Sequence, residues 1–82
     1  MTMIDNAAAA VAAPLAQFCA ELEVWPGGRQ AVLWRGRHRL AHVFYIYDEV
    51  EIVNMARWPW VASRPTTAAA LAQEIADAAK WR

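Results

Sequence analysis

The chain has 82 residues, with eight basic and eight acidic side chains and a formal charge of zero. It is therefore one small domain, without the basic excess of a general nucleic-acid binder or the acidity of a DNA mimic. Its 59% hydrophobic content is largely alanine, which adds little core volume, whereas five tryptophans are many for this length.

A chain this size buries only roughly 60–65% of its unfolded surface, so some of those indole rings are expected at a partner interface. The single cysteine, Cys19, excludes an internal disulfide and fits a reducing cytoplasm. The opening segment MTMIDNAAAAVAAP has the alanine content of a signal peptide. It has no Lys or Arg ahead of the apolar run and Asp5 interrupts it, so it is read as structure. No apolar run reaches the ~18 residues of a membrane span, and no membrane partner is expected.

Asp5 or Asn6 can cap a first helix. Ile4, Val11, Leu15, Phe18 and Leu22 recur at three- and four-residue steps, the period of one helical face. Pro14 falls on that face, where it removes a backbone donor and clashes with the preceding turn. The expectation is a frayed or separate segment before Pro14 and a firm helix from about Pro14 to Glu23. Within it Cys19, beside Phe18 and Leu22, reads as a small core residue. The stretch VWPGGR (24–29) is turn chemistry, since Pro26 blocks a helix and Gly27-Gly28 permits positive φ.

Three strands come next. Val32, Leu33 and Trp34 make the first, Leu40 to Tyr47 the second and Val50 to Ala56 the third, all dense in β-branched and aromatic residues. Gly36-Arg37-His38-Arg39 joins the first pair, and Asp48-Glu49 joins the second as a tight hairpin turn. With Tyr47 opposite Val50, Tyr45 meets Ile52 and Val43 meets Asn54, on one face with Val32 and Trp34. Leu33, Leu40, His42, Phe44, Ile46, Val53 and Met55 then take the other face. Both faces are apolar. Either each helix covers one face, or both cover the same face and leave the other to a partner.

Pro59 in Arg57-Trp58-Pro59-Trp60 cannot donate to a ladder and ends the sheet. Residues 61–64 read as a linker. Pro65, Thr66 and Thr67 open a last helix. On it Ala68, Leu71, Ala72, Ile75, Ala78 and Ala79 form an apolar stripe, with Gln73, Asp77 and Lys80 opposite. The predicted fold is α+β, in the order α-β-β-β-α, a three-stranded antiparallel meander packed against flanking helices.

The meander sorts charge along its length. Arg35, Arg37, His38 and Arg39 gather at the first turn, and Asp48, Glu49 and Glu51 at the second. The third strand returns to the first end and brings Arg57, Trp58 and Trp60 there. Arg35, Arg37, Arg39, Arg57, Trp58 and Trp60 are the candidate partner-binding residues, because arginine offers a planar fork and tryptophan a large rigid contact area. His42 reads as a hydrogen-bonded interior residue. There is no Cys/His cluster with zinc spacing, no glycine-rich phosphate loop and no serine on a nucleophile elbow, so no metal, cofactor or catalytic residue is assigned.

The stretch RLAHVFYIYDEVEIVNMAR (39–57) resembles the central hairpin of RelE/ParE-type toxins, in which an Arg-containing strand is followed by a short acidic turn and an apolar strand. That resemblance implies a ribosome-dependent RNase or a gyrase poison, with Arg37, Arg39 and Arg57 as phosphate contacts. It covers about a quarter of the chain. Such toxins carry a longer helical hairpin before the sheet, where this sequence has one helix, and this sequence adds a C-terminal helix of its own.

In type, a compact motif-free domain rich in interface-prone aromatics is similar to small phage-encoded inhibitors, including anti-CRISPR proteins. That group shares no signature, and no residue carries over from it. It implies stoichiometric binding to a bacterial host complex, blocking nucleic-acid access or nuclease recruitment. The leading expectation is a non-enzymatic protein-binding module of this kind, with nucleic acid not expected as a direct ligand. The alternatives are the toxin and a structural homodimer that buries its open sheet face.

Overall fold

Residues 1–81 are described by a computed structural model. The chain starts helix α1 (Met3–Gln17) from Thr2. The Thr2 Oγ1 accepts from the Asp5 amide at 3.1 Å, and the Thr2 amide donates to Asp5 Oδ2 at 3.2 Å. This reciprocal pair satisfies two donors that a bare helix start would leave unpaired. The cap is thus Thr2, with Asp5 as its partner three residues on, and neither Asp5 nor Asn6 takes the cap position. The Thr2 contacts hold the Asp5 carboxyl below the usual carboxylate range.

Pro14 lies inside α1 without dividing it, which corrects the expected break. The carbonyl it cannot bond belongs to Ala10, which is exposed, so water can serve it. The helix also stops earlier than expected. Phe18 caps it, Cys19 turns to φ 53°, and the Cys19 and Ala20 amides donate back to Ala16 O at 3.3 Å and Leu15 O at 3.0 Å. This 5→2 and 6→1 pairing is a Schellman ending. It places Cys19 on the outside, exposed, and not in the core.

From Glu21 the chain is a strand. β1 (Glu21–Val24) alternates exposed Glu21 and Glu23 with half-buried Leu22 and Val24. The remaining strands are β2 (Gln30–Arg35), β3 (His38–Ile46), β4 (Glu49–Asn54) and β5 (Val61–Ser63), before helix α2 (Ala68–Lys80). They lie in chain order, each antiparallel to the next. The α+β class and the antiparallel meander read from the sequence are present, with one additional strand on each edge. Thr67 caps α2, its Oγ1 accepting from the Ala70 amide at 3.0 Å.

The hairpin between β3 and β4 turns on Tyr47 and Asp48, both at positive φ, so Ile46 faces Glu49, Tyr45 faces Val50 and Val43 faces Ile52. The expected register is two residues out, which keeps the faces of β3 and β4 but not the pairs. On β2 the faces are exchanged: Ala31 and Leu33, not Val32 and Trp34, share the face of Val43 and Ala41. The register slips between Leu33 and Trp34, where β3 carries one extra residue, Leu40. The bulge lets Leu40 join the core next to Ala41.

Both helices cover one face. α1 packs on α2 and β1, and α2 packs on β2, β3 and β4. Ile4, Val11 and Leu15 of α1 meet Leu71 and Ile75 of α2 over Leu33, Val43, Val50 and Ile52 of the sheet. Each large side chain in that layer contributes roughly 1.5–3 kcal/mol. Ala7, Ala78, Ala79, Ala31 and Ala41, all fully buried, let the elements approach closely.

Candidate functional site

Because the strands are antiparallel neighbours, the β2–β3 turn at Gly36-Arg37 and the β4–β5 segment 55–60 emerge at the same end of the sheet. The C-terminal ends of both helices meet them there, as the contacts of Arg35 show. Its Nε donates to Phe18 O at 3.2 Å, just past α1, and its two terminal nitrogens donate to Ala79 O and Trp81 O at the end of α2. Arg35 is half-buried and committed to these carbonyls. It positions the site from inside.

The other candidates are solvent-facing. Arg37, Arg39 and Arg57 are exposed, and among the described residues none lies within salt-bridge distance of a carboxylate. Arg57 stacks over the Trp81 ring at 4.0 Å. Trp58 and Trp60 are 80% and 57% exposed and meet edge to face at 5.8 Å. The strand topology thus puts these basic and aromatic residues at one end of the sheet, with Arg35 turned inward.

Beside them runs a groove of about 770 Å³ that sequence reasoning did not locate. Phe18, Leu40, Met55 and Ala56 form its apolar part, and Arg35, His38, Arg39 and Lys80 its polar part, with three permanent cations among them. Neither Phe18 nor Lys80 carries a local signal in sequence. They reach the site only because both helices end here.

The opposite end is acidic but internally paired. Arg64 reaches Glu49 at 3.1 Å and Glu51 at 3.5 Å. Arg29 lies over the Tyr45 ring at 4.8 Å.

His42 lies on the face away from the helices, in a row with Glu23, Val32, Val53 and Ala62. This corrects its expected interior placement, which rested on the exchanged faces of β2. Its Nε2 lies 3.2 Å from Gln30 Oε1, and its ring meets Phe44 edge on at 5.2 Å. Burial, and then the charge of Arg39, push its pKa down. Among the described residues no group of three or more His, Cys, Asp or Glu side chains is arranged to hold a metal ion. No helix among them is long and apolar enough to cross a membrane.

Comparison with protein-family models, with curated proteins and with solved structures gives no match.

Proposed function

We propose that this chain is a non-enzymatic protein-binding module that acts by stoichiometric binding through the basic and aromatic end of its sheet. The observation that carries the reading is the exposure of Trp58 and Trp60, paired with each other, adjoining Arg57 in the chain and at the same end of the sheet as Arg37 and Arg39; these three arginines have no carboxylate within salt-bridge distance among the described residues. Exposed indole is costly in water, and Trp and Arg are the residue types that dominate interface energetics. A polyanion is the less favoured ligand, because the chain is neutral overall and Glu21 and Glu23 stand with Arg37 around one surface hollow.

The narrower form of the reading, an inhibitor of a bacterial defence complex of the CRISPR-Cas type, rests on the chain's small, motif-free type alone. Capture from a bacterial lysate by the wild type and by the double variant Arg37→Glu, Trp58→Ala tests the broader reading. The wild type is expected to retain a partner that the double variant loses. Equal capture by the two removes this surface from consideration.

A homodimer is the second reading, favoured by the half-buried apolar residues Phe44, Ile46 and Val53 on the sheet face that neither helix covers. Light scattering tests it. A dimer mass lost in Phe44→Glu and kept in Trp58→Ala assigns that face, and a monomer mass at all concentrations sets it aside.

A further inference from the structure

We infer that the groove at the basic end receives an acidic peptide segment of the partner, with one large apolar side chain seated against Leu40 and Met55 and carboxylates held by the flanking cations. This rests on the protein-binding reading above and specifies the chemistry of its partner.

The groove's volume, about 770 Å³, is that of a ligand pocket and well above that of a gap between side chains. Its apolar part is built to accept a side chain. Leu40 is brought there by the β3 bulge, and its carbonyl accepts from the Met55 amide at 2.8 Å, which fixes the two residues side by side. Leu40 is buried, while Phe18, Met55 and Ala56 keep part of their surface open. Methionine adapts its shape to what it meets, which suits an entering apolar group.

The sign of the ligand follows from the lining. Four of the eight lining residues are Arg, His or Lys, and none is Asp or Glu. Two of these basic residues have work inside the fold: Arg35 on the helix-end carbonyls, and Lys80 on Asp77 at 3.7 Å. Arg39 and His38 remain for a ligand. Helix C-termini ordinarily repel anions, since they carry the negative end of the helix dipole. Here Arg35 occupies carbonyls at the ends of both helices and so offsets that repulsion where a carboxylate would sit.

The other hollows lack this combination. The one over Met3, Val50 and Pro65 has its arginine, Arg64, already paired with Glu49. The one beside Trp34 sets Arg37 against Glu21 and Glu23. Those same glutamates bound the basic patch on one side. The patch therefore matches a short acidic segment with an apolar anchor better than a nucleic-acid strand, which carries charge at every step.

Selection of a phage-displayed library of random twelve-residue peptides on the folded protein tests this. Enriched peptides are expected to carry at least two carboxylates around one large apolar residue. Their synthetic forms should bind about tenfold more weakly to Arg39→Glu and to Met55→Glu, and more weakly in the wild type as salt rises from about 0.05 to 0.5 M. Circular dichroism confirms that the variants fold. Arg39→Ala, at an exposed site, stands in if Met55→Glu does not.

Three results overturn the inference: no enrichment, enrichment of neutral or basic peptides, or preferential binding of an oligouridylate of twelve nucleotides. A concentration-dependent rise in mass that Tyr47→Ala removes also overturns it, by assigning the groove to the acidic hairpin tip of a second copy. If acidic peptides fail while lysate capture still depends on Arg37 and Trp58, this inference falls and the protein-binding reading stands. If lysate capture is indifferent to them, that reading falls.

Discussion

The guanidinium of Arg57 lies 4.0 Å from the centre of the Trp81 ring, tying the segment after β4 to the end of α2. Trp81 is 41% exposed, so part of its surface is closed by this contact, whereas Trp58 is 80% exposed. The tryptophans of this end therefore divide by role. Trp81→Ala should cost about 0.5–1 kcal/mol, the value of an exposed cation–π pair. Trp58→Ala should change stability by less than about 0.5 kcal/mol while weakening partner capture. Urea denaturation of the two variants checks this, and a loss at Trp58 matching that of a core truncation would show that the ring packs within the fold.

Arg35 serves three backbone carbonyls with one side chain. Arg35→Met keeps much of the stem and leaves all three without their donor, at a cost of about 2–3 kcal/mol. In a chain of this size that is a fall of roughly 10–20 °C in Tm. Arg35→Lys should recover little of it, because a single ammonium cannot reach three carbonyls in different directions. Thermal melts of the two variants give the comparison.

The β1–β2 turn docks on the start of α1 through Gly28, whose carbonyl accepts from Thr2 Oγ1 at 2.8 Å. A Cβ on Gly28 would lie 2.4 Å from Asp5 Oδ2, and the residue sits at φ 66°. Gly28→Ala should therefore cost about 2 kcal/mol or more, from strain and from displacement of the helix cap together. Gly27 has φ 88° but open space around it. Gly27→Ala should cost only the strain, about 1 kcal/mol. Chemical denaturation that found the two equal would refute the docking argument.

His42 has a folded-state pKa below its unfolded value, chiefly through burial. The unfolded chain then binds the proton first. The stability tied to neutral His42 is present above the ordinary histidine value, about 6.5, and is lost as pH falls through the lower folded value. Melts between pH 7 and pH 5 should show this slope in the wild type and a flatter one in His42→Gln. Parallel slopes would show that His42 does not titrate differently on folding.

The sequence made legible what periodicity and turn chemistry govern. The α2 stripe of Leu71, Ala72, Ile75, Ala78 and Ala79 is buried as its spacing requires, and the ends of the meander carry opposite charge. Four features were hidden, each for a physical reason. β1 is four residues long, and Leu22 continues a helical spacing that Cys19 ends by turning to positive φ. The faces of β2 depend on a bulge at Leu40, and one inserted residue leaves no mark on hydrophobic alternation. Arg35 reads like its neighbours Arg37 and Arg39, and only the convergence of two helix ends draws it inward. The groove was hidden for the same reason, since Phe18 and Lys80 are brought to it by tertiary packing.

The last strand, β5, has three residues, pairs with β4 alone and leaves Val61 and Ala62 exposed. Its tie to α2 is a side-chain hydrogen bond from Ser63 to Glu74. Trp58 and Trp60 are thus moored on one side by the least secured element of the sheet. Opening β5 as far as Ser63 breaks few bonds and uncovers little of the core, so it demands far less than global unfolding. On the proposed binding reading, β5 is therefore the element through which the aromatic pair would yield first to a partner.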